Sequence, residues 1–298
     1  MYDVVGVGTN SVDEVVSLPV ELAAAADVGK ARMADRVWLC GGQTATVTAA
    51  CARFGLASRY IGAFGADEHG ALVERTLHER GVDLSCAVRC DAPNRGAVIL
   101  VDPRGRRTVL WHRSDKLRLP AAALMGDALR CRVVHVDDDD PETALAAARQ
   151  GQAMGARVTS DLEHLSDRAE LLVSAVTHPI LDQRLASDLT GEGDPERALR
   201  KLRRLNGGLL CVTMGEQGSA ALEEDRFHHA PAFAVEAVDT TGAGDVFRAA
   251  FVFGLLRGRD AAELLRFANA AAAVSCTRAG AIPSAPTLEE VDQFLKRR

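Results

Sequence analysis

Residues 239–258 read DTTGAGD (Asp239–Asp245) and run directly into VFRAAFVFGLLRG (Val246–Gly258). The second part is an apolar run of about four helical turns, so the small residues before it stand at a helix N-terminus. Gly242 and Gly244 remove side chains where a backbone must approach a ligand closely. With Ala243 they leave N–H groups directed at an anion that the helix dipole also favours. Asp245 falls in the first turn beside that anion hole. This pattern suits in-line phosphoryl transfer, with the backbone holding the phosphoryl group and Asp245 receiving the proton of an acceptor hydroxyl. An ordinary carboxylate is a weak base toward an alcohol, so proton removal should come late. Taken alone, Asp245 reads better as an acid that stabilises a helix start, since acids in first turns are far commoner than catalytic bases.

Outward from this segment, short β-rich runs alternate with helix-period stretches. Strands are expected at Tyr2–Val7, Ser58–Ala63, Arg132–Val136, Ala156–Ser160 and Leu209–Met214. Helices are expected at Thr44–Phe54, Glu68–Arg80, Pro141–Met154, Pro195–Leu205, Ala243–Arg257, Ala261–Arg278 and Leu288–Lys296. That order implies an α/β fold, a mainly parallel central sheet with helices on both faces, in one domain over residues 1–298. Residues 95–112 break the rhythm with two extended runs, GAVILVD and RTVLWHR, about a turn at Pro103-Arg104-Gly105-Arg106. With residues 32–40 and 13–18 this hairpin is read as a small β-sheet lid over a pocket; the alternative is an edge extension of the main sheet. An apolar lid face including Val98, Leu100, Val109 and Trp111 would favour a homodimer through the lid.

The chain has 298 residues, 47% of them hydrophobic, and a formal net charge of -6 without a long basic block. Nucleic acid is therefore not an expected partner, and a small-molecule substrate is. No membrane-spanning run and no signal-peptide pattern is read. Seven scattered cysteines without a CxxC pair suggest a reduced, cytoplasmic chain.

DTTGAGDVFRAAF resembles the second signature of the ribokinase/PfkB carbohydrate kinases. The likeness continues through VGVGTNSVD, GGQTATVTAACARFG, GAFGADEHG, TMGEQGSAAL and AIPSAPTLEEV. It implies a ribokinase-like three-layer sandwich, an ATP- and Mg2+-dependent sugar kinase, and Asp245 as catalytic base with Gly242, Ala243 and Gly244 as anion hole. On the sugar side it implies Asp13 after the first strand, the pair Gly41 and Gly42, Gln43, and Asp137 at a strand end. Thr46 stands where many relatives carry a sugar-binding Asn, and Gln43 offers the amide that Thr46 lacks. Asp140 is read instead as the N-cap of a helix beginning at Pro141. Arg107 resembles a lid arginine of ketohexokinase-like members.

On the nucleotide side the resemblance implies Thr213, Gly215 and Gly218 as a nucleotide loop and Asn269 on a helix flanking the adenine. Asp239 and the 279–284 loop correspond to the K+ region of ribokinase relatives. The family's Asn-x-x-Glu segment is represented by Asp182-Gln183-Arg184-Leu185, so its Glu is missing. The acceptor is expected to be a ketohexose, fructose-like or ribose-like sugar. Alternatives are a nucleoside kinase, disfavoured by 4% aromatic content, a phosphosugar kinase, left open by Arg95, Arg104 and Arg106, and a non-catalytic sugar-binding homologue.

Overall fold

The computed structural model describes residues 1–22, 30 and 32–298. Its strands are β1 (Tyr2–Val7), β2 (Ser11–Ser17), β3 (Asp35–Gly41), β4 (Ser58–Ile61), β5 (Ala63–Gly65), β6 (Val88–Cys90) and β7 (Gly96–Val101), then β8 (Arg107–His112), β9 (Cys131–Asp137), β10 (Arg157–Asp161), β11 (Ile180–Asp182), β12 (Leu210–Thr213), β13 (Ser219–Glu223) and β14 (Arg226–Ala230).

The parallel order β10-β9-β1-β4 continues across β10 into β11-β12-β13-β14, through a parallel bridge between Leu162 and Leu181 and the bonds Leu162 N to Ile180 O and Asp182 N to Leu162 O. Only β13, next to the far edge strand β14, runs against the other strands. Val4, Val5, Val133, Val134 and Val158 are fully buried, as strands covered on both faces require. One face packs on the helices Pro141–Ala153, Ala169–Ala175 and Pro195–Leu202. The other packs on Gln43–Arg53, Ala243–Leu256 and Ala261–Ser275. This is the expected ribokinase-like three-layer arrangement. No helix of the described residues is long and apolar enough to cross a membrane.

The expected lid forms a separate four-stranded sheet of order β3-β2-β7-β8. Its register corrects one expectation. Asp102 N donates to Arg106 O, and the Asp102 carboxylate accepts from the amides of Arg104 and Arg106, so the loop holds three residues, 103–105, with Gly105 left-handed at φ 74°. A four-residue turn would have paired 102 with 107. The shorter loop shifts the pairing by one, so Ala97 faces Trp111 and Val98 faces Leu110. Val98 and Leu100 therefore do not share a face with Val109 and Trp111. Asp13, Ala97, Trp111, Val109 and Arg107 do share one.

Several short elements escaped the sequence reading. The run 58–63 breaks at Gly62, and β5 leaves the main sheet to pair with β6. The three-residue β11, the β13–β14 hairpin and the helices Ala169–Ala175 and Gln183–Thr190 carry too few residues for their period to show. Asp140 caps the Pro141 helix as expected, accepting from Thr143 N.

Candidate active site

The loops after β1, β9, β10, β11 and β12 all leave the carboxyl edge of the sheet, where ligands of open α/β sheets bind. Gly242 opens the helix Ala243–Leu256 at φ 77°, and no side chain caps that helix. Ala243 N donates to Thr240 O, while the amides of Gly242, Gly244 and Asp245 find no acceptor among the described residues. The turn is packed against the 280–284 segment so tightly that a methyl group on Gly242 would stand 2.6 Å from Ala281 Cβ. A methyl group on Gly41 would likewise stand 3.5 Å from Ala281 Cβ and 3.8 Å from the Asp13 carboxylate. The fold thus gathers Asp13, Gly41 and the 242–245 turn around one small residue.

Gly42, at φ 95°, begins the helix Gln43–Arg53 without a side-chain cap. Gln43 Nε2 and Thr46 Oγ1, on its first turn, are buried and have no hydrogen-bond partner among the described residues. Buried polar atoms seldom stay unpaired, so these two are natural contacts for a ligand. Burial raises the Asp13 carboxyl above its ordinary range.

Asp245 is 9% exposed. Burial, reinforced by Glu163 and opposed by Arg248, pushes its carboxyl up to about 7. That value suits a base working near neutrality. The fully buried Asp161 is likewise raised by burial, against the pull of Arg248.

Asp137, expected on the sugar, lines the cleft at the end of β9 and also ties the scaffold together. Its Oδ2 accepts from Thr9 N at 2.7 Å, Thr9 Oγ1 at 2.9 Å and Thr44 Oγ1 at 2.7 Å. Those bonds tie the loop after β1 to the Gln43 helix. Two residues on, Asp139 is held from both ends of the lid hairpin, by Arg95 on Oδ1 and by Arg113 at 2.7 Å on Oδ2. Arg95, Arg113 and Asp139 line a cleft floored by Gly8, Thr9 and Asn10.

Arg107 does reach down from the lid, to Asp239 Oδ1 at 3.0 Å and Thr241 Oγ1 at 3.3 Å. Asp239 Oδ1 also accepts from the amide and hydroxyl of Thr241, and Oδ2 from Gly280 N. Burial would raise this carboxyl, but those donors and Arg107 hold it down at about 2. A K+ ion at Asp239 would have to compete with the guanidinium, so the carboxylate as placed does not fit the expected cation site.

Asp182 and Thr213 are register partners at the ends of β11 and β12. Asp182 caps the helix Gln183–Thr190 through Leu185 N. Gly215 (φ 56°) and Gly218 (φ 90°) turn the chain back from β12 into β13. Asn269, expected beside the adenine, stitches neighbouring segments: it accepts from Ser219 Oγ and donates to the carbonyls of Ala230 and Pro231.

The sequence reading missed Asp161, Glu163 and Arg248. A signal existed for the last, since one arginine in the apolar run VFRAAFVF must find carboxylates if that helix is buried. Asp138 was missed as well. Its Oδ2 accepts from the amides of Glu163 and His164 and its Oδ1 meets His164 Nδ1, fixing the loop that carries Glu163.

The model of the pfkB family carbohydrate kinases matches residues 11–288. The ATP-dependent ribose-1-phosphate kinase of Halopiger xanaduensis is 33% identical over 291 residues, covering 95% of each chain. Fructokinase-1 of Zea mays is 30% identical over 301 residues, covering 86% of this chain and 88% of its own. The structure of Arabidopsis thaliana ribokinase complexed with ribose and ATP superposes with a TM-score of 0.84 at 25% identity, covering 99% of both chains. The chain belongs to the pfkB family of carbohydrate kinases and is a phosphotransferase of that class.

Proposed function

We propose that the protein transfers the γ-phosphoryl group of ATP to a hydroxyl of a small sugar, with Asp245 as the base. The observation that carries this reading is the buried Asp245 in the first turn of an uncapped helix whose Gly242, Gly244 and Asp245 amides lack protein acceptors. Asp13, Gly41, Gly42, Gln43 and Thr46 face the acceptor sugar. Its reacting hydroxyl lies against Asp245, which receives the proton as the oxygen bonds to phosphorus. The amides of the turn meet the negative charge on the transferring group.

ATP suits the ends of β11 and β12 and the Gly215–Gly218 turn, where a methyl on Gly218 would collide with Ala230 O. Bound there, it supplies the phosphoryl group. Among the described residues no three His, Cys, Asp or Glu side chains converge as a metal cage. Magnesium bound with ATP would neutralise charge on the nucleotide phosphates.

A second reading, a phosphorylated sugar as acceptor, draws on Arg95 and Arg113. Each spends a single terminal nitrogen, Nη1, on Asp139, which leaves further donors for an anion. Arg104 and Arg106 do not contribute, because they pair with Glu21 and Asp102 at the lid tip. Among the described residues that line the cleft none is aromatic, which argues against a nucleoside.

Both readings are tested by an ADP-release screen of free ketoses and pentoses, sugar 1-phosphates and nucleosides with Mg-ATP, run for wild type and Asp245→Asn. Turnover of a free sugar that vanishes in the variant supports the first reading. Turnover confined to sugar phosphates selects the second. Stabilisation by sugar or ATP without any turnover would point to a binding protein.

A further inference from the structure

Arg248 lies one helical turn beyond Asp245, in the middle of an otherwise apolar segment, and is 1% exposed. Its Nη2 stands 2.6 Å from Oδ1 of Asp161, a residue with no exposure at the end of β10, and 3.5 Å from Oε1 of Glu163. The guanidinium also lies beside the anion turn, where a methyl group on Gly244 would come within 2.7 Å of Nη1. Yet Nε and Nη2 of Arg248 and both Asp161 oxygens make no aligned hydrogen bond among the described residues. The contact is one of charge with charge. Buried pairs of this kind add little to stability compared with a well-packed apolar residue, so stability alone does not account for an arginine here.

We propose that Arg248, braced by Asp161 and Glu163, is a positioning residue for phosphoryl transfer, holding the Asp245 carboxylate and the Gly242–Gly244 turn as one charge-balanced unit. The inference rests on the reading of Asp245 as base. Three acids, the buried Asp161 and Asp245 and the half-exposed Glu163, share one buried cation. Without Arg248, Asp245 would keep its proton to higher pH, because burial and Glu163 already push it that way.

The groups around the cluster come from several elements. Arg248 is on the helix of Asp245, and Asp161 and Glu163 lie at and after the end of β10. Asp137 stands on β9 and acts on Asp161 through its charge, while His135, also on β9, and Cys211 on β12 lie near Arg248. Burial pushes the His135 imidazole down to about 3 and the Cys211 thiol up to about 12, so neither carries charge near neutral pH. The Gln43 helix contributes the uncharged Thr46.

The test is the pH profile of kcat for wild type, Arg248→Met, Arg248→Lys and Glu163→Gln, with melting curves for each. Arg248→Met is expected to lower kcat about tenfold or more and to move the acidic limb up by about one pH unit, leaving KM for ATP within about twofold. Arg248→Lys should restore part of both. Glu163→Gln, which removes a half-exposed like charge, should move the limb down. Because Arg248→Met strands Asp161, the double variant Asp161→Asn/Arg248→Met is included; it should melt near wild type and still show the raised limb. A folded variant lacking Arg248 but with the wild-type kcat and limb overturns the proposal. Retention of full activity by Asp245→Asn would instead remove the base reading beneath it.

Discussion

Arg107, on the outermost lid strand, and Asp239, at the head of the anion turn, lie 132 residues apart in sequence and 3.0 Å apart in space, guanidinium Nη2 to carboxylate Oδ1. The same guanidinium reaches Thr241 Oγ1. A single side chain thus latches the lid to the 239–245 loop, the proposed anion hole. Arg107→Ala is expected to raise KM for the sugar by up to about fivefold, since a half-exposed pair contributes about 1 kcal/mol or less. It should also raise the acceptor-free release of ADP, which a closed lid suppresses by excluding water. A coupled assay with and without sugar measures both, and unchanged values would show the latch to be idle.

The raised carboxyl of Asp245 makes activity and stability run oppositely with pH. The proposed base would work as carboxylate, so kcat/KM should climb through about pH 7 and then level. Asp245→Asn should cost about 10²–10⁴-fold in kcat. The folded-state value lies above the ordinary one, so this group's stabilising contribution is complete below the ordinary Asp range and is lost as pH rises through about 7. Asp245→Asn should therefore melt above wild type at pH 8, with a margin that shrinks in acid. Melting curves across that range decide it.

Asp239 has the opposite sign. Its carboxyl is held down at about 2, so the stability it contributes is present above the ordinary Asp range and is lost as pH falls through about 2. Asp239→Asn should lower the melting temperature at pH 7 and reduce that difference toward pH 2. Because Arg107 already meets this charge, exchanging K+ for a larger organic cation at constant ionic strength should leave wild-type kcat within about twofold. Strong potassium activation would place the cation elsewhere or show that it displaces Arg107.

Gly242→Ala introduces two faults at once, a left-handed backbone at φ 77° and a methyl group 2.6 Å from Ala281 Cβ. The backbone fault alone costs about 1–3 kcal/mol. Relief would shift the turn, so kcat should fall further than stability does. Gly258→Ala, with φ 71° and open space around its Cβ position, is the control that carries the backbone fault alone.

Trp111 and Leu110 are 71% and 60% exposed on β8, and Val109 beside them is 53% exposed. We expect the lid to pair with a second copy of the chain through this strand, whose apolar side chains are otherwise left in water. Light scattering should then report a homodimer at micromolar concentration, and Trp111→Glu should return it to the monomer. A wild-type monomer would sink the expectation.

Much of the architecture could be read along the chain. Parallel strands buried on both faces read as largely apolar runs, as VVGV does and as the valines of RVVHV suggest, and an anion hole needs small residues at a helix start, as DTTGAGD provides. Asp140 could be named a cap because Pro141 follows it. These features are local, set by periodicity, backbone freedom and neighbours within one turn.

Other features depend on groups far apart in sequence. The hairpin register turned on whether Arg106 belonged to the loop or the strand, a difference of one residue settled by the Asp102 carboxylate on two amides. Asp137 and Asp139 are both acids at the end of one strand, and nothing local says that one is spent on Thr9 and Thr44 and the other on Arg95 and Arg113. The sequence alone determined the sheet-and-helix order, the anion turn and the place of Asp245. Only the tertiary structure decided which carboxylates stay free, which are paired and how far Asp245 holds its proton, because charge and burial act through space between segments that the chain order keeps apart.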